Sequence, residues 1–242
     1  MEPQVIVGHF IAGPQSAGHL TIGHARMPLD RHAKRFLDMV AAGKSGASPL
    51  SPDAMRQAFV TLARAVDAGD VPIGACEDRD IAGPAGAIPL RIYTPVSATA
   101  GPLPALIFFH GGAGVFCSID THDGFCRLLA NESGCRLISV GYRLAPEHKF
   151  PASIDDACAA TTWVFAHCDG LDVAPGRIGV AGDSAGATLA AVVCQQALRN
   201  AGLVKDGGPS IALQVLICPV TDPGLDSLSR RHSLPNQNAR AN

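Results

Sequence analysis

The chain has 242 residues, 47% hydrophobic, 17% charged and 5% aromatic, with a formal net charge of −2. A chain this apolar is neither disordered nor fibrous, and its length suits one α/β domain with a substantial core. The near-neutral charge excludes an electrostatic footprint for nucleic acid or an anionic membrane, and the scarcity of aromatics excludes a stacking platform for single strands.

No apolar run reaches the roughly 18 residues of a membrane span. Residues 1–26 lack the basic-then-apolar order of a secretion signal. They are expected to be an unstructured extension, with Met27 as the natural start. The 8 Cys include no C-x-x-C pair. Cys117, Cys126, Cys135, Cys158, Cys168, Cys194 and Cys218 lie mostly in apolar stretches. They read as small buried hydrophobes in a reducing, cytoplasmic compartment. No Cys/His cluster has zinc-ligand spacing, so no metal is expected.

In chain order, the spacing predicts a helix over 30–43, capped by Asp30, with Phe36, Leu37, Met39 and Val40 as its apolar residues. Ser51-Pro52-Asp53 opens a second helix, whose Met55, Phe59, Leu62, Ala63 and Val66 recur at helical spacing. Residues 76–81 and 88–94 read as two strands joined around Gly83-Pro84-Ala85-Gly86. In the second, Ile88, Leu90 and Ile92 alternate with Pro89, Arg91 and Tyr93, the pattern of a strand with one wetter face. Four apolar runs follow: 105–109, 137–140, 178–181 and 211–218. They suit parallel strands covered on both faces. Helical segments at about 121–132, 152–168 and 185–201 separate them at crossover length. The order is an α/β one, with a mostly parallel sheet and helices on both sides. Residues 223–242, rich in Ser, Asn, Arg, Gly and Pro, are expected to be a disordered tail.

Two motifs carry chemistry. Gly182-Asp183-Ser184-Ala185-Gly186 fits G-x-S-x-G, with the apolar strand to Ala181 before it and the helix from Ala187 after it. A strand–serine–helix turn holds the serine in strained backbone with Oγ exposed above the sheet, and the helix start offers N–H groups to a developing negative charge. The bland reading, a serine that caps a helix after a glycine turn, does not account for the strand and helix on either side. His110-Gly111-Gly112-Ala113-Gly114 leaves the strand ending at Phe109. Glycines there let backbone N–H groups approach a ligand oxygen. No Lys-Ser/Thr follows, so a phosphate loop is not supported. His110 reads as a brace for the loop, because it precedes the serine and sits at a strand end.

These residues, with Tyr142-Arg143-Leu144-Ala145-Pro146-Glu147, Phe150-Pro151-Ala152, Asp155-Asp156 and the elbow, resemble the α/β-hydrolases of the hormone-sensitive lipase group, which includes bacterial esterases and arylacetamide deacetylases. The resemblance covers about residues 27–222. It implies an N-terminal helical cap (27–70), a partial hydrolase core (71–222), a small-molecule carboxylic-ester substrate with a short acyl or aryl group, and no cofactor. It assigns Ser184 as nucleophile and the N–H groups of Gly111, Gly112 and Ala185 as the oxyanion hole. Residues 142–147 and 150–152 look structural. Asp155 and Asp156 sit in a first helical turn, where the dipole favours a carboxylate, and are not assigned to catalysis. Ala113 and Ala187 stand where the family usually has glycine.

A hydrolase of this fold also needs an acid and then a His after the serine. Here Asp206, Asp222, Asp226 and His232 follow it. Asp226 and His232 lie in a stretch without strand pattern and do not read as a triad, so the chain is expected to be a member missing its C-terminal strands. Two alternatives stay open. One is a non-catalytic small-molecule-binding protein on the same fold. The other is an amidase or deacetylase, since amides use the same serine and oxyanion donors.

Overall fold

The computed structural model describes residues 51–66, 71–199 and 211–221, with Asp30, Arg31, Lys34, Arg35 and Asp38 from the region before them. The expected extension and tail, and the candidate residues Asp206, Asp222, Asp226 and His232, lie outside the described residues. Of the predicted first helix, the described positions Arg31, Lys34, Arg35 and Asp38 are helical, and Lys34 N donates to Asp30 O at 2.8 Å.

Helix α1 is Pro52–Val66. Ser51 caps it, its Oγ accepting the Ala54 N–H at 3.2 Å, and Pro52 occupies the first turn, where no N–H is needed. Strands β1 (Ala75–Gly83) and β2 (Gly86–Thr94) form an antiparallel hairpin in which Gly83 faces Gly86. Then follow β3 (Leu103–Phe109), α2 (Asp123–Ser133), β4 (Arg136–Val140), α3 (Ala152–Ala166), β5 (Val173–Asp183), α4 (Ala185–Arg199) and β6 (Leu213–Ile217). The sheet order is β1-β2-β4-β3-β5-β6. The pairs β4–β3, β3–β5 and β5–β6 are parallel, whereas β2 joins β4 antiparallel. The predicted antiparallel pair followed by a parallel, helix-crossed sheet is therefore observed.

Alternation along the strands builds two cores. Ile107 of β3 and Ile138 of β4 pack with Ala160 and Val164 of α3 and Leu189 and Val193 of α4. Their neighbours Leu106, Phe108 and Leu137 pack on the opposite face with Cys126 and Ala130 of α2. Residues of period two thus serve both faces, which explains the continuous apolar runs.

Three expectations need correction. Tyr93 is not on a wetter face: it is fully buried under α2, its hydroxyl donating to Asp123 Oδ1 at 2.8 Å. A buried phenol is tolerated because its polar tip has a partner. Strand β6 is not covered like its neighbours. Among the described residues it pairs with β5 alone, and Leu213 and Ile217 are exposed. Of the cysteines, Cys126 and Cys168 are buried, Cys117, Cys135, Cys158 and Cys194 are half-buried, and Cys76 and Cys218 are exposed.

Candidate active site

The parallel strands β3 and β5 are neighbours, so the loop after Phe109 and the turn after Asp183 emerge side by side. Ser184 is the single residue between β5 and α4, with φ +51. Left-handed backbone at a non-glycine residue costs energy and persists only where the surroundings impose it. Here Ser184 N donates to Ile217 O of β6 at 2.8 Å, and Thr188 N donates to Ser184 O at 3.1 Å as the first bond of α4. The flanking glycines are steric requirements. A Cβ at Gly186 would collide with the Phe109 and His110 carbonyl oxygens, and one at Gly182 with the backbone of Gly186. β3, the elbow and α4 can come together only without those side chains.

The loop 110–114 is held as tightly. His110 is almost fully buried, its ring stacked on Tyr142 with centroids 4.4 Å apart. Its Nδ1 lies 2.7 Å from Gly111 O, which makes Nδ1 the protonated nitrogen, and its own carbonyl accepts the Tyr142 hydroxyl at 2.6 Å. Burial depresses the imidazole pKa to about 4, outweighing the Gly111 carbonyl that favours protonation. His110 is thus a neutral brace, as its position in the sequence indicated.

Gly111 departs from its expected role. Its N–H donates to Asp183 Oδ1 at 2.7 Å and is not open to a substrate oxygen. The N–H groups of Gly112, Ala113 and Ala185 have no acceptor among the described residues. Gly112 and Ala185 were expected as donors, while Ala113 was noted only as a departure from glycine. Asp183, unassigned in the sequence, joins the two motifs. Burial alone would raise its pKa, but the His122 imidazole, the Gly111 N–H and His110 bring the carboxyl below its ordinary value. His122 Nε2 lies 3.3 Å from Asp183 Oδ1, and His122 Nδ1 lies 3.0 Å from Thr121 Oγ1.

Residues 142–156 follow β4 and leave the sheet at the same end as the loop after Phe109. Asp156 is buried and accepts from Arg143 N at 2.9 Å, Nε at 2.8 Å and Nη2 at 2.8 Å. These three bonds tie the segment after β4 to the first turn of α3. Glu147 accepts both arms of the Arg56 guanidinium, at 2.9 and 2.7 Å, and that bond holds its pKa at about 2. Sequence reasoning missed Arg56. Its signal was a cation three residues before Phe59, beside the apolar stripe of α1.

A cavity of about 320 Å³ opens beside this constellation, walled by Phe59, Leu62 and Ala63 of α1 and by Gly112, Phe116 and Asp183. The helix predicted as cap therefore closes one side of it. A second cavity of about 450 Å³, between Arg56, Leu144, Glu147 and His148, shares Cys117 with the first. Among the described residues no cluster of three His, Cys, Asp or Glu side chains could hold a metal ion, and no helix is long and apolar enough to cross a membrane.

A family described by the alpha/beta hydrolase fold matches residues 106–241, running into the segment whose composition reads as a tail. The chain is 47% identical over 146 residues to the carboxylic ester hydrolase LipN of Mycobacterium tuberculosis, covering 60% of this chain and 38% of that protein. It is 45% identical over 167 residues to esterase LipI of the same organism, covering 68% and 50%. Among solved structures, the ester hydrolase EH1AB1 from the metagenome of Lake Arreo superposes with a TM-score of 0.77 at 40% identity, over 85% of this chain and 64% of that one. The chain spans about half the length of the curated relatives it matches. With the elbow and the glycine loop placed as above, the chain belongs to the α/β-hydrolase family, within its hormone-sensitive lipase group.

Proposed function

We propose that this chain carries the nucleophile and oxyanion donors of a serine carboxylic-ester hydrolase for short-chain acyl or aryl esters. The observation that carries the reading is Ser184 in left-handed backbone between β5 and α4, beside the Gly112 loop and the Ala185 N–H, which has no acceptor among the described residues. In this reading Ser184 Oγ attacks the acyl carbon as its proton passes to solvent water, since among the described residues His110 faces Gly111 O and His122 faces Asp183. The carbonyl oxygen, now an oxyanion, is held by the N–H groups of Gly112 and Ala185, with Ala113 beside them. Collapse of the tetrahedral adduct breaks the ester C–O bond and the leaving oxygen takes a proton from solvent to depart as the alcohol; water then attacks the acyl-serine, releasing the acid and restoring the Ser184 hydroxyl. A cavity of about 320 Å³ lies at the small end of ligand pockets, which supports a short acyl or single-ring group. The names of the relatives, carboxylic ester hydrolase and esterase, support the reaction class.

A second reading, a non-catalytic binder of small molecules, is favoured by one observation. Among the described residues no imidazole bonds Ser184 Oγ: His110 faces Gly111 O and His122 faces Asp183. One experiment separates the two. The chain and Ser184→Ala are assayed with p-nitrophenyl acetate and butyrate and labelled with a fluorophosphonate. Fluorophosphonate labelling that vanishes in Ser184→Ala is expected, with ester turnover far below that of a site holding a complete serine–acid–histidine set. Saturable binding of the same esters, with neither turnover nor labelling, would establish the binder instead.

A further inference from the structure

Gly112, Ala113 and Gly114 hold successive φ values of +110, +54 and +69. Ala113, a non-glycine residue in left-handed backbone, is strained there, so the loop keeps this shape only under external restraint. Three clamps supply it. Asp183 Oδ1 takes the Gly111 N–H at 2.7 Å. Ala145 N donates to Gly114 O at 2.8 Å. The third clamp comes from α1. Arg56 Nε donates to Val115 O at 2.9 Å, and Arg56 Nη2 to Ala145 O at 3.1 Å. One turn on, Phe59 stacks on Phe116 with centroids 4.1 Å apart at 15°. Glu147 orients the guanidinium from its far side at 2.9 and 2.7 Å. α1 therefore grips the end of the loop and also Ala145, which itself holds Gly114.

We propose that Arg56 is a positioning residue for the oxyanion loop: docking of α1, through the Arg56 fork and the Phe59–Phe116 stack, holds residues 112–114 in their positive-φ course, so the loop donors are in place only while the helix is seated. The catalytic consequence rests on the esterase reading, whereas the coupling itself does not. A planar guanidinium can serve Val115 O, Ala145 O and Glu147 together, which a lysine ammonium cannot.

Amide hydrogen exchange tests the coupling without turnover. Val115 N and Phe116 N both donate to Gly112 O, at 2.9 and 3.0 Å, so their exchange reports the loop directly. In Arg56→Lys, exchange at Val115 and Phe116 is expected to rise at least tenfold, while amides of β3 and β4 stay at their original rates. Phe59→Leu, which removes the stack and keeps the fork, is expected to move the same two amides in the same direction. Accelerated exchange in α1 with Val115 and Phe116 unchanged, in either variant, would overturn the proposal. Where turnover is measurable, kcat and kcat/KM fall together in Arg56→Lys while KM holds, the mark of lost transition-state stabilisation. A chain whose Ser184 never labels counts against the esterase reading and leaves the exchange result standing.

Discussion

Asp183 Oδ1 accepts the backbone N–H of Gly111 at 2.7 Å, across 72 residues of chain. The residue before the candidate nucleophile thereby holds the first glycine of the candidate oxyanion loop. One carboxylate ties the turn that carries Ser184 to the glycine loop after β3. Electrostatic stabilisation depends on donors placed in advance of reaction, so this bond is the joint on which the site turns.

Asp183→Ala leaves the buried Gly111 N–H without an acceptor. That loss is expected to lower stability by about 1–3 kcal/mol. It is read as a lower urea midpoint at unchanged m. Asp183→Asn, whose amide oxygen can still accept, is expected to lose less. The pKa of Asp183 is lowered in the folded chain, so its stabilisation is whole above the unfolded value of 3.8 and is lost as pH falls below it. That acid sensitivity is expected to disappear in Asp183→Asn.

His110 produces a separate pH window. Its folded pKa is about 4 against an ordinary 6.5, because burial penalises the imidazolium. As pH falls from 6.5 towards 4 the unfolded chain takes up the proton first. Stability is therefore full above pH 6.5 and falls across that interval, by up to about 3 kcal/mol. Urea midpoints at pH 7.5, 5.5 and 4.5 are expected to descend in the unaltered chain. In His110→Gln they are expected to stay level.

Gly186→Ala places a methyl group against the Phe109 and His110 carbonyl oxygens, which are backbone atoms and cannot swing aside. Overpacking of this kind costs about 1–3 kcal/mol or more. The expected outcome is a lower midpoint, and loss of fluorophosphonate labelling even where the variant stays folded, because the elbow must shift.

Ser184→Gly and Ser184→Ala both remove the hydroxyl, yet they are expected to differ in stability. At φ +51 glycine carries no Cβ penalty and alanine does. The Gly variant is expected to be more stable than the Ala variant by up to about 1 kcal/mol in urea titration. Equal stabilities would mean that the backbone at Ser184 is unstrained.

Much of this site was legible beforehand. Small residues at 182 and 186 are demanded by the packing of one turn against β3, and that demand is written locally. His110 was identified as a brace because a histidine at the end of a strand, before the serine, has no route to Oγ. The role of Gly111 was misjudged. A glycine N–H that leaves a strand looks equally available whether or not a distant carboxylate takes it. Tyr93 was misplaced for a related reason: alternation in β2 describes one hairpin and is blind to the α2 helix that later covers it.

The sequence by itself determined the order of elements, the parallel character of the central strands and the turn that carries Ser184, because periodicity and steric exclusion act between near neighbours. Only the tertiary structure decided which N–H groups remain open, that Asp183 joins the two motifs, and that Arg56 reaches Val115 and Glu147, 59 and 91 residues away. Those bonds depend on the crossover connections that bring β3 beside β5 and seat α1 over the loop, and such distances leave no local pattern to read.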